Sequence, residues 1–144
     1  MRRWSARLHA LVYRLTRGRL LAHMGGQPVL LLETVGRRSG RRRATPLQYL
    51  RRREELVVVG SNAGAPHPPA WCLNLNADPR ARVQIRHSTM DVRARAASGE
   101  EREGLWRELT QANRYMDGVA KKAGRELPIL VLTPTSGRGG RGAL

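Results

Sequence analysis

The chain has 144 residues, the length of a single domain that can bury its own core. Its 27 basic and 11 acidic residues give a net charge of +16, and Lys121 and Lys122 are its only lysines. No apolar run approaches the roughly 20 residues that span a bilayer, and a single cysteine, Cys72, excludes an internal disulfide. We therefore expect a cytoplasmic protein with anionic ligands, although a GC-rich genome would explain many surface arginines equally well.

The N-terminal segment, residues 2–17, predicts an amphipathic helix because apolar side chains recur at helical spacing and arginines fall on the other side. Such a helix either docks on its own domain or lies peripherally on the inner face of the cell membrane. We expect residues 1–19 to form this helix, residues 20–134 the folded domain, and residues 135–144 a disordered low-complexity tail.

Six strands and two helices are expected within the domain. The strands are Gln27–Val35, Arg42–Leu50, Leu56–Gly60, Arg82–Arg86, Met90–Ala96 and Leu127–Thr133, and the helices are Pro69–Asn76 and Ser98–Asn113. The second helix opens on a predicted capping box, Ser98 with Glu101, and Gly118–Arg125 is expected to be a mobile loop. Since strands and helices do not alternate regularly, the pattern favours an α+β fold built on a mainly antiparallel barrel.

Several kinds of chemistry have no support in the sequence. It contains no GxxxxGK[ST] loop, no CxxC, no HExxH and no GxSxG motif, no GxGxxG opens a helix after a strand, and its four histidines are scattered. We therefore expect no metal site and no protein nucleophile. Cys72 is expected to be a small packing residue. An enzyme built on this chain would take its chemistry from a cofactor.

Two glycine-marked loops carry the positive evidence for a ligand site. Gly36–Gly40 is a hairpin turn where Arg37, Arg38, Ser39 and Arg43 could grip a phosphate or carboxylate. Gly60–Ala65 follows a buried strand, and its small residues allow backbone amides to form an anion nest. Either loop alone could be an ordinary solvated connection. Together they suggest a long, multiply charged ligand, such as a flat heteroaromatic with a phosphate tail.

Trp71 and Asn74 lie three residues apart on the predicted helix that follows the second loop, so they share one face beside it.

These segments resemble a known family. Thr34–Leu47 fits T-x-G-R-[RK]-[ST]-G-x-x-R-x-x-P-L, Gly60–Ala65 fits G-S-x-A-G-A, and Pro69–Leu75 fits P-x-W-x-x-N-L. In this order and spacing they resemble the deazaflavin (F420)-dependent nitroreductase family of actinobacteria, whose members are split β-barrel, flavin-binding-like oxidoreductases. The resemblance covers about Leu11 to Thr133 and implies five to seven strands, reduced F420 as the cofactor, with FMN fitting less well, and hydride transfer to a small-molecule acceptor.

The resemblance also implies which residues bind the cofactor. Arg38, Ser39 and Arg43 would hold its phosphate and oligoglutamate tail. Thr45, Pro46 and Gln48 would run beside the deazaflavin, and Gly60–Ala63 would present backbone groups. The full implied set is Arg37, Arg38, Ser39, Arg43, Ala44, Thr45, Pro46, Gln48, Gly60, Ser61, Asn62, Ala63, Ala70, Trp71 and Asn74.

On the acceptor side the resemblance places Tyr115, Met116 and Val119 before the last strand. Nitroreductase activity does not carry over by itself, since this region lacks the several tyrosines of nitroimidazole-reducing members. A quinone, an enone, another activated double bond or a nitroarene could serve as acceptor. Family members often have lysine at the positions of Arg38 and Asn62 and asparagine at that of Thr45.

Two other classes of function compete with this interpretation. The net charge and the RGG-like tail are compatible with a nucleic-acid-binding protein. The aromatic content is 4% with no phenylalanine, so stacking platforms are scarce and we expect no nucleic-acid partner. A non-catalytic carrier of a cofactor or lipid is the third possibility. A monomer and a homodimer are both compatible with the sequence.

Overall fold

The computed structural model describes residues 23–24 and 27–135. The predicted N-terminal helix and the predicted tail from residue 136 onward lie outside them. The strands are β1 (His23–Met24), β2 (Gln27–Val35), β3 (Arg42–Gln48), β4 (Leu50–Arg52), β5 (Glu55–Val59), β6 (Arg80–Ile85), β7 (Ser88–Ala96) and β8 (Ile129–Pro134). The helices are a short 3-10 turn (Asn62–Gly64), α1 (Ala70–Ala77), α2 (Gly99–Ala112) and α3 (Met116–Ala123).

One antiparallel sheet is built from these strands, and it curls strongly. Its order runs β3-β2-β6-β7-β8-β5-β4, with β1 paired to the start of β2. The edge strands β3 and β4 are joined through the single residue Tyr49, whose N–H donates to the carbonyl of Pro28 (3.2 Å). A sheet whose two edges are one residue apart in the chain has to close on itself. The mainly antiparallel split β-barrel is thus confirmed.

Alternation along the strands sorts the apolar side chains into two clusters. Leu56 and Val58 of β5 point into the barrel with Leu130 and Leu132 of β8. Their neighbours on the same strands point outward and pack under α2 through Leu105 and Leu109. The central strands are therefore covered on both faces, as the continuous apolar run of β5 predicts. Among the described residues, no helix is long and apolar enough to cross a membrane.

The expected strands all exist, with bounds that shift by a few residues. The predicted strand Arg42–Leu50 stops at Gln48, and β4 adds the short segment Leu50–Arg52.

Two local expectations are wrong. Gly118–Arg125 is not a loop: α3 spans Met116–Ala123 and ends at Gly124, which has left-handed backbone (φ 65°). Ser98 does precede α2, but its side chain makes no capping hydrogen bond. Glu101 accepts instead from both terminal nitrogens of Arg95 on β7 (2.7 and 2.8 Å), and this hydrogen bonding holds the pKa of Glu101 below its usual range. Two charge-assisted hydrogen bonds from one guanidinium stabilise the carboxylate more than a single hydrogen bond from a backbone amide does.

Cys72 packs in the barrel interior, as expected, and burial raises the pKa of its thiol to about 12 in spite of the nearby charge of Arg125. We expect iodoacetamide to modify it slowly in native protein at pH 8 and rapidly in urea. Because the unfolded thiol ionises near pH 9 and the folded one near pH 12, the free energy of unfolding should fall as the pH rises through that interval.

Urea titrations at several pH values measure this effect, with Cys72→Ala as the control that lacks a thiol. An equal decline in both proteins would contradict the assignment.

Candidate functional site

The hairpin between β2 and β3 is closed by its own backbone. The N–H of Gly36 donates to the carbonyl of Arg41 (2.7 Å), and the N–H of Gly40 donates to that of Gly36 (2.8 Å). A Cβ at Gly36 would lie 2.7 Å from the Oγ of Ser39, so no larger residue fits without moving the turn. Gly40 takes a positive φ of 71°, which favours glycine. The turn therefore holds its arginines on a rigid frame.

The arginines of this hairpin differ in what their side chains contact. Arg42 forms an ion pair with Glu33 across the two strands (2.8 Å). Arg37 turns toward α1 and donates to Asn74. Arg38 and Arg43 line a cleft and form no ion pair with any residue in the described part of the chain.

Asn74 is the buried junction between α1 and the hairpin, only 5% exposed. Its Oδ1 accepts from the backbone N–H of Arg37 (3.1 Å) and from the Nη1 of the same residue (3.2 Å). Its Nδ2 donates to the Oγ1 of Thr34 (3.2 Å), which is itself buried. Asn74 therefore fixes the turn through the protein's own hydrogen bonds while it also lines the cleft.

The cleft has a volume of about 330 Å³ and is rich in cationic and hydroxyl groups. It is lined by Thr34, Gly36, Arg37, Arg38, Ser39, Arg43, Ala44, Thr45, Ala70, Trp71 and Asn74. The predicted site residues of the turn, of the start of β3 up to Thr45 and of α1 come together here, and the chemistry of the donor set suits a phosphate or carboxylate.

The loop after β5 has an unusual backbone. Ser61 is in the right-handed helical region (φ −79°, ψ −32°), and Asn62, Ala63 and Gly64 follow with positive φ values of 48°, 54° and 82°. Two consecutive non-glycine residues in this region store conformational strain, which is common at ligand sites. A right-handed residue followed by a left-handed one is the geometry of a backbone anion nest, as the sequence predicted for this loop.

The first predicted residue of this loop, Gly60, lies behind the nest. Its N–H donates to the carbonyl of Pro128 (2.8 Å), and a Cβ would lie 2.4 Å from the sulfur of Cys72. The side chain of Asn62 also turns inward, donating from Nδ2 to the carbonyl of His67 (3.0 Å). The loop therefore offers a ligand its backbone at Ser61–Ala63 and no cationic side chain.

Arg125, which the sequence placed in a mobile loop, holds this segment. Its Nε donates to the carbonyl of Ala65 (3.1 Å). Its Nη2 lies within hydrogen-bond distance of the carbonyls of Gly60, Ser61 and His67 (3.2, 3.2 and 3.0 Å). No local signal marks this residue, because its partners lie about 60 positions earlier in the chain.

A larger cavity of about 590 Å³ lies beside the nest, within the roughly 300–1,000 Å³ of small-molecule sites. Its walls are mainly apolar and are formed by Thr45, Pro46, Leu47, Gln48, Tyr49, Leu50, Val57, Val59, Ser61, Asn62, Ala63, Pro69, Trp71, Leu109, Ala112, Asn113 and Met116. Thr45 and Trp71 line both this cavity and the arginine cleft. The two therefore adjoin along β3, and together they are called the groove, with an arginine-lined end and an apolar end.

Only one of the three predicted acceptor-side residues lines the cavity. Met116 lines the cavity, Val119 lies outside its wall, and Tyr115 projects into solvent with 76% of its surface exposed. The sequence did not single out Tyr49, Leu109 or Asn113, which the fold brings to the cavity. Within the described part of the chain, no group of three or more His, Cys, Asp and Glu side chains could hold a metal ion.

A split barrel with a groove that joins anion-binding and apolar ends is the architecture of a cofactor-dependent oxidoreductase. Residues 4–134 match the F420H(2)-dependent quinone reductase family, and the chain belongs to that family. It is an oxidoreductase whose cofactor is F420.

Individual relatives agree. An F420H(2)-dependent quinone reductase of Mycobacterium tuberculosis is 33% identical over 132 residues, which is 88% of each chain. A solved F420-H2 dependent reductase superposes with a TM-score of 0.67 at 31% identity, covering 73% of this chain and 93% of its own. A solved domain-swapped dimer superposes with a TM-score of 0.69 at 28% identity, covering 90% of this chain and 96% of its own.

Replacing Asn74 tests its role at the junction. Asn74→Ala leaves the hydroxyl of Thr34 and the amide of Arg37 without this partner, so we expect the free energy of unfolding to fall by about 1–3 kcal/mol. Urea denaturation measures it. Asn76→Ala, an exposed position on the same helix, is the matched control. Equal stability of the two variants would show that the buried bonds contribute nothing.

Proposed function

We propose that this protein transfers hydride from reduced F420 to a quinone, and that the groove described above holds both molecules. The observation that carries the proposal is that the two cavities adjoin. Thr45 and Trp71 are shared by an arginine-lined cleft and an apolar cavity. A cofactor with an anionic tail and a flat ring matches both ends at once.

The arginine cleft is the proposed binding site for the phosphate and the oligoglutamate tail. Arg38 and Arg43 supply guanidinium forks, and Ser39 adds a hydroxyl that already accepts from the N–H of Arg41 (3.1 Å). Because Asn74 fixes the turn, the backbone that carries these cations is held in place before binding.

The ring is proposed to lie along β3, between Thr45–Gln48 and the nest at Ser61–Ala63. The nest provides backbone N–H donors for polar atoms of the ring, and Trp71 provides an apolar wall. When bound, the cofactor supplies the hydride, while the protein contributes orientation and exclusion of water.

The acceptor is proposed to lie at the far end of the cavity, where α2 and α3 meet. Leu109, Ala112 and Met116 form an apolar wall that suits a planar quinone. Asn113 adds an amide whose Oδ1 accepts from the N–H of Tyr115 (3.0 Å), so its Nδ2 is the donor available in chemical type for a carbonyl oxygen.

Proton delivery has few protein candidates. Among the described residues that line this cavity, Tyr49 is the one with an ionisable side chain. We propose that the proton needed to complete quinone reduction comes from solvent or from Tyr49.

Removing the cleft cations tests the tail site. We expect the Arg38→Ala/Arg43→Ala double variant to bind F420 about a hundredfold or more weakly, since two charge-assisted contacts worth about 1.5–3 kcal/mol each are lost. Arg41→Ala is the matched control, because it removes a cation from the same turn outside the cleft. Fluorescence titration at low and moderate salt measures the affinity, with FMN as the competing ligand.

The wild-type affinity for F420 should exceed that for FMN and weaken with salt. A double variant that binds like Arg41→Ala would contradict the tail assignment. Absence of F420 binding by the wild type would overturn the proposed function and return a nucleic acid to consideration.

Turnover distinguishes a quinone reductase from other reductases and from a carrier. We expect oxidation of F420H2, followed by its absorbance, to be fastest with a soluble quinone such as menadione and slower with enones and nitroarenes. The expectation rests on the apolar wall around Met116 and on the family to which the chain belongs. Bound F420H2 that no acceptor consumes would instead identify a carrier.

Peripheral membrane contact through residues 2–17 would bring the enzyme to lipid-soluble quinones, and it stays a prediction. The same holds for a homodimer, which the solved domain-swapped relative makes worth testing in solution.

A further inference from the structure

The loop from Gly60 to His67 converges on a single guanidinium, that of Arg125. Four backbone carbonyls within the loop point at it, those of Gly60, Ser61, Ala65 and His67. Such convergence from one short loop requires the chain to wrap around the cation.

The orientation of these carbonyls sets the orientation of the nest. In a trans peptide unit, the C=O of one residue and the N–H of the next point in opposite directions, and the described residues contain no cis bond. With the carbonyls of Gly60 and Ser61 turned to Arg125, the N–H groups of Ser61 and Asn62 are turned away from it. Both residues line the cavity.

The other two carbonyls have a different role. Ala65 and His67 each precede a proline, Pro66 and Pro68, so their peptide units carry no N–H at all. Within the loop, the carbonyl of Ser61 also accepts from the N–H of Gly64 (2.9 Å), and that of His67 also accepts from the Nδ2 of Asn62 (3.0 Å). For the carbonyls of Gly60 and Ala65 the donor is Arg125, which thereby supports the left-handed backbone at Asn62 and Ala63.

The charge of Arg125 favours the same ligand contact as its hydrogen bonds do. Within the described part of the chain it forms no ion pair, whereas the neighbouring Glu126 pairs with Arg102 (3.3 Å). Its positive charge therefore lies behind the nest without a carboxylate to offset it. Placed at the carbonyl side of the peptide units, it strengthens the attraction of their N–H groups for an electron-rich ligand atom.

We propose that Arg125 is a positioning residue for the cofactor: it acts through the peptide units of Ser61 and Asn62, turning their N–H groups toward the ring of bound F420. This inference rests on the proposed function, since it takes the cavity to be the cofactor's ring site. Arg125 itself does not line the cavity.

The test is chemical rescue. We expect Arg125→Ala to bind F420 about tenfold or more weakly, as expected when one or two hydrogen bonds are misaligned. Guanidinium chloride at tens of millimolar should restore most of the affinity, while sodium chloride at the same ionic strength should not. Arg125→Lys keeps the charge but not the planar fork, so its affinity for F420 should lie between those of the wild type and Arg125→Ala.

Arg102→Ala is the matched control, because it removes a nearby cation that touches no loop carbonyl. Thermal unfolding of each variant verifies that it is folded. If Arg125→Ala does not fold, Arg125→Lys against wild type carries the same comparison. In both cases the backbone ¹H–¹⁵N signals of Ser61–Ala63 in the free protein should shift more than those of the rest of the barrel.

The outcomes separate this inference from the proposed function. Loss of affinity that guanidinium reverses supports the positioning role. Wild-type affinity in the Arg125 variant, or a loss that guanidinium leaves unchanged in a folded protein, would overturn it. Failure of the wild type to bind F420 would count against the proposed function, whatever the signals of the loop report.

Discussion

The fold depends on how the curled sheet closes. β3 and β4 form its two edges, yet only Tyr49 separates them in the chain. Each edge strand pairs on one side alone, β3 with β2 and β4 with β5. The chain continues across the seam, but the ladder of backbone hydrogen bonds does not. The barrel is consequently closed covalently and open in its hydrogen bonding at this seam, beside the larger cavity.

The binding groove follows from that seam. Its larger cavity takes a continuous run of lining residues, 45–50, from the strand on one side of the seam through Tyr49. Val57 and Val59 come from β5, which pairs with β4 on the other side of the seam. The arginine hairpin lies at the far end of β3, so the arginine cleft and the larger cavity follow the same strand. One strand thus aligns two chemically different subsites without a second domain.

Sequence patterns were sufficient for features whose causes are local. The alternation of β2 and β3 and the apolar run of β5 depend on neighbours in the chain. Sequence patterns failed where a residue distant in the chain competes for the same group. Ser98 and Glu101 have capping-box spacing, but the guanidinium of Arg95 on the adjoining strand takes the carboxylate. Likewise, the glycines of 118–125 indicated a loop, although Gly118 lies within α3 and Gly124 ends it.

The same reasoning explains why the site could be predicted only in part. A chain with this many arginines does not show in its sequence which of them meet a carboxylate, which meet backbone and which meet a ligand. The fold assigns them: Arg42 to Glu33, Arg125 to four carbonyls, and Arg38 with Arg43 to the cleft. Cations already paired with a carboxylate have little attraction left for an anion, whereas those in the cleft retain theirs. Under the proposed function, affinity for an anionic cofactor thus depends on the placement of a few arginines rather than on the net charge.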